Sequence, residues 1–229
     1  MTISELLQSE HIRGMLADHY RSCVTAAVQG YADSATDDDT VTGALGRALR
    51  GQGELALPDG RIVRWATRHR KLRGRGRGAP EKHLGADGLF EIEMEDEDRD
   101  RSRKSLPFHA RNGAAGYGDS LLRGQAKRLD NFPGGGVVVN YRPEGYVAVD
   151  ARLVAEGEAT RDSEVSLADA LAEDFVGCRR GSTAYLFEPS VGGVLLVHRS
   201  FLTVRRWSPG HRIRTTLRLG STAGRSTMG

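Results

Sequence analysis

The sequence predicts an α/β (α+β) fold with helices around one central sheet. Apolar residues recur at helical spacing over 2–51, alternate with polar residues over much of 53–154, and return to helical spacing at 166–178. This order favours a domain built around a single sheet. The 229 residues suffice for one core with a small appendage. The expected segments are an N-terminal helical segment at 1–36, a main domain at 37–205 and a basic, flexible C-terminal tail at 206–229.

Two stretches near the N-terminus are predicted to be helices. The first runs from Ile3 to Tyr31, and the second, TVTGALGRALRG, ends at Gly51. Acidic residues at 37–39 precede the second helix, where they complement the positive end of the helix dipole. Farther along, SLADALAEDFVGC predicts an amphipathic helix with Leu167, Leu171 and Phe175 on one face.

The chain between these helices is predicted to consist mainly of strands. Residues 53–72 have the pattern of a hairpin that turns at PDG, and DGLFEIEMED is a further strand. We expect 95–119, which mixes charged and small residues, to be a long mobile excursion. SLLRGQAKRL, at 120–129, is interpreted as the third strand, and VVVNYRPEGYVAVDARLV as a strand pair that turns at PEG. One or two more strands, or a strand and a helix, are expected within 183–207.

Charge and cysteine usage narrow the classes of function. The formal net charge is +3, but basic residues cluster at 68–77, 99–103 and 205–218. Such clusters suit a polyanion such as nucleic acid, because phosphate contacts release counterions, although basic loops are also commonly just solvated. Cys23 and Cys178 lie far apart without a CxxC pair, so neither a zinc cluster nor a disulfide framework is predicted. The sequence has no long apolar run and begins with a polar, acidic stretch, so we expect a cytoplasmic protein without membrane contact.

Three residues suggest a hydrolytic site. Positions two apart on a strand face the same way, so Gln125 and Lys127 would share one face of the predicted third strand. Asp87 stands at the start of the preceding predicted strand, after a Gly-Ala turn. If the two strands pair, the carboxylate can hold a hard divalent cation while the lysine prepares a water molecule for attack on phosphorus. In the structural alternative, Asp87 forms a turn, Gln125 is a strand-edge amide and Lys127 is a surface lysine.

This pattern resembles the PD-(D/E)XK nucleases, the restriction-endonuclease-like superfamily, and most of all the branch that includes Mrr-like restriction enzymes and has Q-x-K in place of D/E-x-K. The matching residues are Asp87 in GAD and Gln125-Ala126-Lys127 in QAK. EKHLGADGLFEIEM, VVVNYRPEGYVAVDA and SLADALAEDFVGCRRGS are similar to segments of nuclease domains in bacterial anti-phage systems, so the resemblance covers about 37–185. It implies a restriction-endonuclease-like central mixed sheet flanked by helices. It also implies that Asp87 and Gln125 bind Mg²⁺ or Mn²⁺ with help from the Ala126 carbonyl, and that Lys127 prepares the nucleophile.

The resemblance suggests further ligands and contains one departure. Such families often place an acidic residue on an N-terminal helix near the metal; Asp38 or Asp39 is the candidate here, and Glu81 is another. The spacer between the two motifs is 38 residues, longer than usual, and the charged excursion accounts for the excess. The family usually has a helix between the Q-x-K strand and the next strand, where this sequence has only LDNFPGGG. A lone histidine is more often structural, so neither His109 nor His198 is assigned to the site.

The function implied by the resemblance is metal-dependent hydrolysis of DNA by an endonuclease of bacterial restriction or anti-phage defence. Two strands to cut and one site per chain would suit a homodimer, and a partner protein would supply targeting. Two alternatives remain open: a catalytically inactive nuclease-fold module that binds nucleic acid or a partner, and an enzyme of another class or a structural subunit. The basic residues expected to contact the DNA backbone are Arg70, Lys71, Arg73, Arg75, Arg77 and Arg128.

Overall fold

A seven-stranded sheet organises the chain. The computed structural model describes residues 2–35, 37–72, 84–97, 101–112, 116–188, 193–196, 203–206 and 214–216. The strands of the sheet, which neighbour one another in chain order, are β1 (Gly51–Ala56), β2 (Ile62–Lys71), β3 (Gly88–Glu95), β4 (Arg101–Asn112), β5 (Val137–Tyr141), β6 (Val147–Asp150) and β7 (Val165–Ser166). Neighbouring strands are antiparallel except β4 and β5, which are parallel. The fold is therefore mixed α/β with an open, mostly antiparallel sheet.

Later described residues form a second, antiparallel sheet. Its strands are β8 (Tyr185–Glu188), β9 (Gly193–Leu196), β10 (Thr203–Arg206) and β11 (Arg214–Thr216), in the order β11-β10-β9-β8. Of the two options for 183–207, strands alone rather than a strand and a helix fit its described parts. The strand β11 lies within 206–229, which we expected to be a flexible tail, and the rest of that segment after Arg206 is outside the described residues.

Short polar side chains begin several of the helices. Asp37 accepts a hydrogen bond from the Thr40 amide at 2.7 Å, and Asp119 accepts one from the Leu121 amide at 2.9 Å. The helices are α1 (Ile3–Leu6), α2 (Glu10–Gln29), α3 (Tyr31–Ser34), α4 (Asp38–Ala48), α5 (Ser120–Asp130), α6 (Ala151–Glu156) and α7 (Leu167–Asp169), which continues as a π-helix over Ala170–Phe175, and a short 3₁₀ turn covers Arg161–Ser163. None of these described helices is both long enough and apolar enough to cross a membrane.

The two faces of the seven-stranded sheet bury two different cores. Because side chains alternate along a strand, Phe90 and Ile92 of β3 enter one core while Leu89 enters the other. The first core contains apolar residues of α1, α2, α4 and α7. The second contains Leu122 of α5 and Val154 of α6. Helices thus cover both faces of the seven-stranded sheet.

Several sequence predictions are confirmed. Strands β1 and β2 form the predicted hairpin, whose turn ends at Gly60 with φ of 86°. Strands β5 and β6 form the predicted pair, and they are joined through the PEG turn. The three residues predicted to form the apolar face of the C-terminal helix are fully buried: Leu167, Leu171 and Phe175.

The prediction of a mobile excursion at 95–119 is wrong for the described part. Strand β4 lies there and pairs with both β3 and β5. Leu106, Phe108 and Ala110 alternate along it and enter the first core, which is the physical reason for the strand. Charged residues at its start and Pro107 in its middle disguise this alternation in the sequence.

The prediction of a third strand at 120–129 is also wrong, because these residues form α5. Leu122, Ala126 and Leu129 follow helical spacing and are all buried in the second core. On a helix, a step of two residues rotates the side chain by about 200°. Gln125 and Lys127 therefore point to nearly opposite sides and do not share a face. Helix α5 connects the parallel strands β4 and β5. The connection before β5, where the sequence indicated that the family's helix is missing, therefore does contain one.

Candidate functional site

Asp87 lies where β2, β3 and β4 meet. It directly precedes β3, its amide donates a hydrogen bond to the Phe108 carbonyl at 2.9 Å, and its own carbonyl accepts one from the Leu72 amide at 2.8 Å. The sheet register continues past the strand end, because Gly88 is paired with Phe108. Asp87 is therefore held opposite His109, the next residue of β4.

The Asp87 carboxylate contacts His109 and the following peptide. Its Oδ2 atom accepts a hydrogen bond from the Ala110 amide at 2.6 Å and lies 2.9 Å from His109 Nδ1. The Asp87–His109 contact lacks the directed geometry of a hydrogen bond, and Nδ1 is buried without another partner among the described residues. The side chains are 21% and 12% exposed, respectively. An acid and an imidazole thus meet in a largely desolvated place, where electrostatic interactions are strong.

Helix α4 brings further acidic groups to this place. Loss of hydration, together with the negative charges of Asp87 and Asp37, raises the pKa of Asp38, while His109 opposes the shift. Burial raises the pKa of Tyr141, and the charges of Asp87 and Asp38 add to this shift. The Tyr141 hydroxyl lies 3.1 Å from Thr42 Oγ1. The charges of Asp87 and His109 therefore both reach Asp38.

Asp39, the alternative to Asp38 in the sequence analysis, has a different partner. One of its carboxylate oxygens lies 2.8 Å from Lys71 Nζ at the end of β2, in an exposed ion pair. Asp37, Asp38 and Asp39 line an open cavity of about 740 Å³ beside this pair. Of the candidates on α4, Asp38 is thus the one that interacts with Asp87.

The predicted GAD and QAK motifs do meet, although through the backbone. A Cβ atom added to Gly85 would lie well under 3.0 Å from the Gln125 carbonyl oxygen and 3.1 Å from Arg128 Cβ. Gly85 has φ of 67°, a left-handed conformation that glycine adopts most readily. The turn before Asp87 therefore packs directly on α5, at Gln125 and Arg128.

The other predicted site residues are distributed as follows. Lys127 is exposed on α5, and Gln125 contributes its carbonyl to the turn contact described above. Arg70 is not free for DNA, since its Nε lies 2.8 Å from Glu91 Oε2. Glu81, Arg73, Arg75 and Arg77 lie outside the described residues.

The described residues show no ready cluster of metal ligands. Within the described ranges no group of three or more His, Cys, Asp or Glu side chains could hold a metal ion, and Glu81 lies outside those ranges. Asp39 pairs with Lys71, and Gln125 lies on α5. Mg²⁺ binds through oxygen ligands, often only one or two carboxylates with water and substrate completing the shell. Dependence on Mg²⁺ or Mn²⁺ stays a prediction of the resemblance, and we derive no chemical step through a metal.

Sequence reasoning missed His109 and its neighbour Arg111. Both share the parity of Pro107 on β4, opposite to that of the core residues. Arg111 donates to the Gly116 carbonyl at 3.1 Å, and its guanidinium lies 5.8 Å from the centre of the Tyr117 ring. The alternation of LPFHA contained the signal for this strand, but the pairing with β3 that brings His109 to Asp87 is not visible in the sequence.

Comparisons of the chain with protein-family models, with curated proteins and with solved structures found no match.

Proposed function

We propose that this chain is a DNA-hydrolysing domain related to the PD-(D/E)XK nucleases, with its site at Asp87 and His109. The observation that carries the proposal is the contact of 2.9 Å between these side chains, in a largely buried position next to Asp38. A carboxylate in contact with an imidazole is an arrangement that catalytic sites use for proton transfer. A role in restriction or anti-phage defence rests on the resemblance alone.

The order of elements supports the relationship. Helix α4 precedes the antiparallel strands, Asp87 begins β3, and α5 joins β4 to the parallel strand β5. The strand beside Asp87 is β4, so His109-Ala110-Arg111 takes the place that the resemblance gave to Gln125-Ala126-Lys127. This triplet lies on a strand, so its first and third residues share a face. The helix expected after that strand is then α5. The finer assignment to a restriction-endonuclease-like fold belongs to this proposal.

The chain's own residues suit proton transfer and charge stabilisation. His109 would accept a proton from the attacking water molecule, and the carboxylate of Asp87 would stabilise the imidazolium that forms. Arg111, on the same face of β4, would offset the charge that develops on the phosphate oxygens. The new bond joins the water oxygen to phosphorus, the phosphorus–oxygen bond to the leaving nucleotide breaks, and the leaving oxygen takes a proton from solvent while His109 later returns its proton to solvent.

Plasmid cleavage tests the proposal. The purified protein is incubated with supercoiled DNA in Mg²⁺, Mn²⁺ or EDTA, beside the variants Asp87→Asn and His109→Gln. We expect each to reduce cleavage by at least about a hundredfold, in the range of a lost general base. Arg13→Ala is the control and should cleave like the wild type, because Arg13 is exposed on α2 and belongs to neither the proposed site nor helix α5. Full activity in Asp87→Asn and His109→Gln, or an equal loss in Arg13→Ala, would contradict the site.

The second candidate is an inactive nuclease-like module that binds nucleic acid. It is favoured by one observation, that no group of three or more His, Cys, Asp or Glu side chains in the described part of the chain could hold a metal ion. It predicts DNA retention that EDTA does not change, and no nicking with either metal. The same plasmid assay, read together with a gel-retardation lane, separates the two candidates.

A further inference from the structure

The basic residues of the described chain fall into paired and unpaired groups. On β2, β3 and β4, arginines alternate with glutamates across the strands and neutralise them. The pairs are Arg64 with Glu95, Arg68 with Glu93, Arg70 with Glu91, Arg101 with Glu95 and Arg103 with Glu93. These arginines are therefore poor candidates for holding a polyanion, because a phosphate would have to compete with a carboxylate already in place.

Helix α5 carries cations of the unpaired kind. Lys127 is exposed, and neither it nor Arg128 has a carboxylate partner among the described residues. The Nε atom of Arg128 is buried and makes no hydrogen bond within the described chain. A buried guanidinium donor without a hydrogen bond is unfavourable, and binding an anion, with a small turn of the guanidinium, would give it a partner.

The position of Arg128 links these cations to the proposed site. Its Cβ atom contacts the turn at Gly85, two residues before Asp87. Arg123, one turn earlier on α5, is different: its guanidinium lies against Gly157, at the C-terminal end of α6, where the helix dipole favours a cation. Arg128 is thus the α5 cation beside the turn that leads to Asp87, and Lys127 precedes it on the same helix, which ends at Asp130.

We propose that Lys127 and Arg128 bind the phosphate backbone of a DNA duplex beside the bond that is cut at Asp87 and His109. This inference rests on the proposed function for its choice of partner. Phosphate contacts by lysine and arginine position a duplex without reading its sequence. Lys127 is therefore assigned to substrate binding and not to catalysis.

Salt-dependent binding provides the test. Fluorescence anisotropy of a labelled duplex is measured in EDTA with the Asp87→Asn protein, so that no cleavage occurs, at a series of salt concentrations. A plot of log affinity against log salt has a negative slope. Lys127→Gln and Arg128→Gln are each expected to make this slope less steep by about 0.9, which is roughly an eightfold loss of affinity at 0.1 M salt. Arg128→Lys should keep the slope, because it keeps the charge.

Arg13→Gln is the matched control. Arg13 is exposed on α2, which covers the opposite face of the sheet, and its loss changes the net charge by the same amount. Slopes that fall equally in Arg13→Gln and in the α5 variants, or not at all in the α5 variants, would overturn the inference. So would polyglutamate binding with the same dependence on Lys127 and Arg128, because the surface would then be selective for acidic protein.

The two proposals fail in different ways. If Asp87→Asn abolishes cleavage but the α5 variants bind with unchanged slopes, only the α5 surface is refuted. If the α5 slopes fall as expected but the wild type cleaves under no condition, the surface is supported and hydrolysis is refuted.

Discussion

Replacing Gly85 by alanine tests whether packing on α5 positions Asp87. Two effects add at this residue. The left-handed backbone, with φ of 67°, is unfavourable by about 1–2 kcal/mol for alanine. The new Cβ would also lie well under 3.0 Å from the Gln125 carbonyl oxygen, which is backbone and cannot rotate away, so the turn or the helix must move. Overpacking of this kind adds about 1–3 kcal/mol.

Gly60→Ala separates the two effects. Gly60 also has a positive φ, 86°, but nothing lies within 4 Å of an added Cβ. It therefore reports the backbone contribution alone, about 1–2 kcal/mol, whereas Gly85→Ala should destabilise the protein by about 2–5 kcal/mol. The turn at Gly85 leads into Asp87, so cleavage should fall in Gly85→Ala and not in Gly60→Ala.

Urea unfolding of the two variants and the wild type, at one pH and salt concentration, gives the free energies of unfolding. Equal losses in the two variants would refute the steric argument, since the contact with α5 would then have no energetic consequence. A large loss of stability with an unchanged rate of cleavage would show that the turn does not position Asp87.

Two pH effects on stability follow from buried charges. Burial, with Lys71 and Arg70 adding to it, lowers the pKa of His69 to about 4. Because the unfolded chain takes up protons before the folded one, the free energy of unfolding should decline as the pH falls from about 6.5 to 4, by roughly 3 kcal/mol at most. His69→Leu should flatten this part of a profile of urea denaturation against pH, and an unchanged profile would contradict the assignment. Burial alone would raise the pKa of Glu164, but hydrogen bonds from Arg142 and Tyr117 outweigh it and lower that pKa. The contribution of the ionised Glu164 to folding stability is therefore complete above the ordinary pKa of 4.5, and it is lost as the pH falls through the lowered pKa. Thermal melts of Glu164→Gln should show this acid-dependent part removed, with about 3 kcal/mol lost at neutral pH because the nearly buried Arg142 loses its counter-charge.

The sequence predicts the parts of this fold that depend on local pattern. The hairpin of β1 and β2 follows from alternation and from Gly60 in its turn, and the start of β3 at Gly88 follows from an apolar run after a Gly-Ala turn. These signals span only a few residues, and no distant contact is needed to form them.

Helix α5 shows where local pattern misleads. The short apolar run of Leu121 and Leu122 fits either a strand or a helix, and Gly124 weakens the helical pattern. The deciding features are the cap at Asp119 and the burial of Leu129 two turns after Leu122, which tie the segment to the second core. Tertiary packing decides between the strand periodicity and the helix periodicity of such a segment, and that packing cannot be read from the sequence.

The surroundings of Asp87 were predicted in part. Asp87 does stand directly before a strand, as predicted, but Gln125 and Lys127, which were expected on the neighbouring strand, lie on α5. His109 reaches Asp87 because β3 and β4 pair in one particular register, and a shift of one residue would place His109 on the other face. Register depends on the whole sheet, so a lone histidine in a mixed-charge stretch gave no sign of its contact with Asp87.

The hydrogen bonds of Asp87 give the site two amides that report different motions. The Asp87 amide and carbonyl are bonded to Phe108 and Leu72, whereas the Ala110 amide is bonded to the Asp87 carboxylate. Hydrogen exchange at the Asp87 amide then requires opening of the pairing between β3 and β4, while the Ala110 amide can exchange once the Asp87 carboxylate turns away from it. The first exchange rate would accordingly report opening of the sheet, and the second would report movement of the Asp87 side chain.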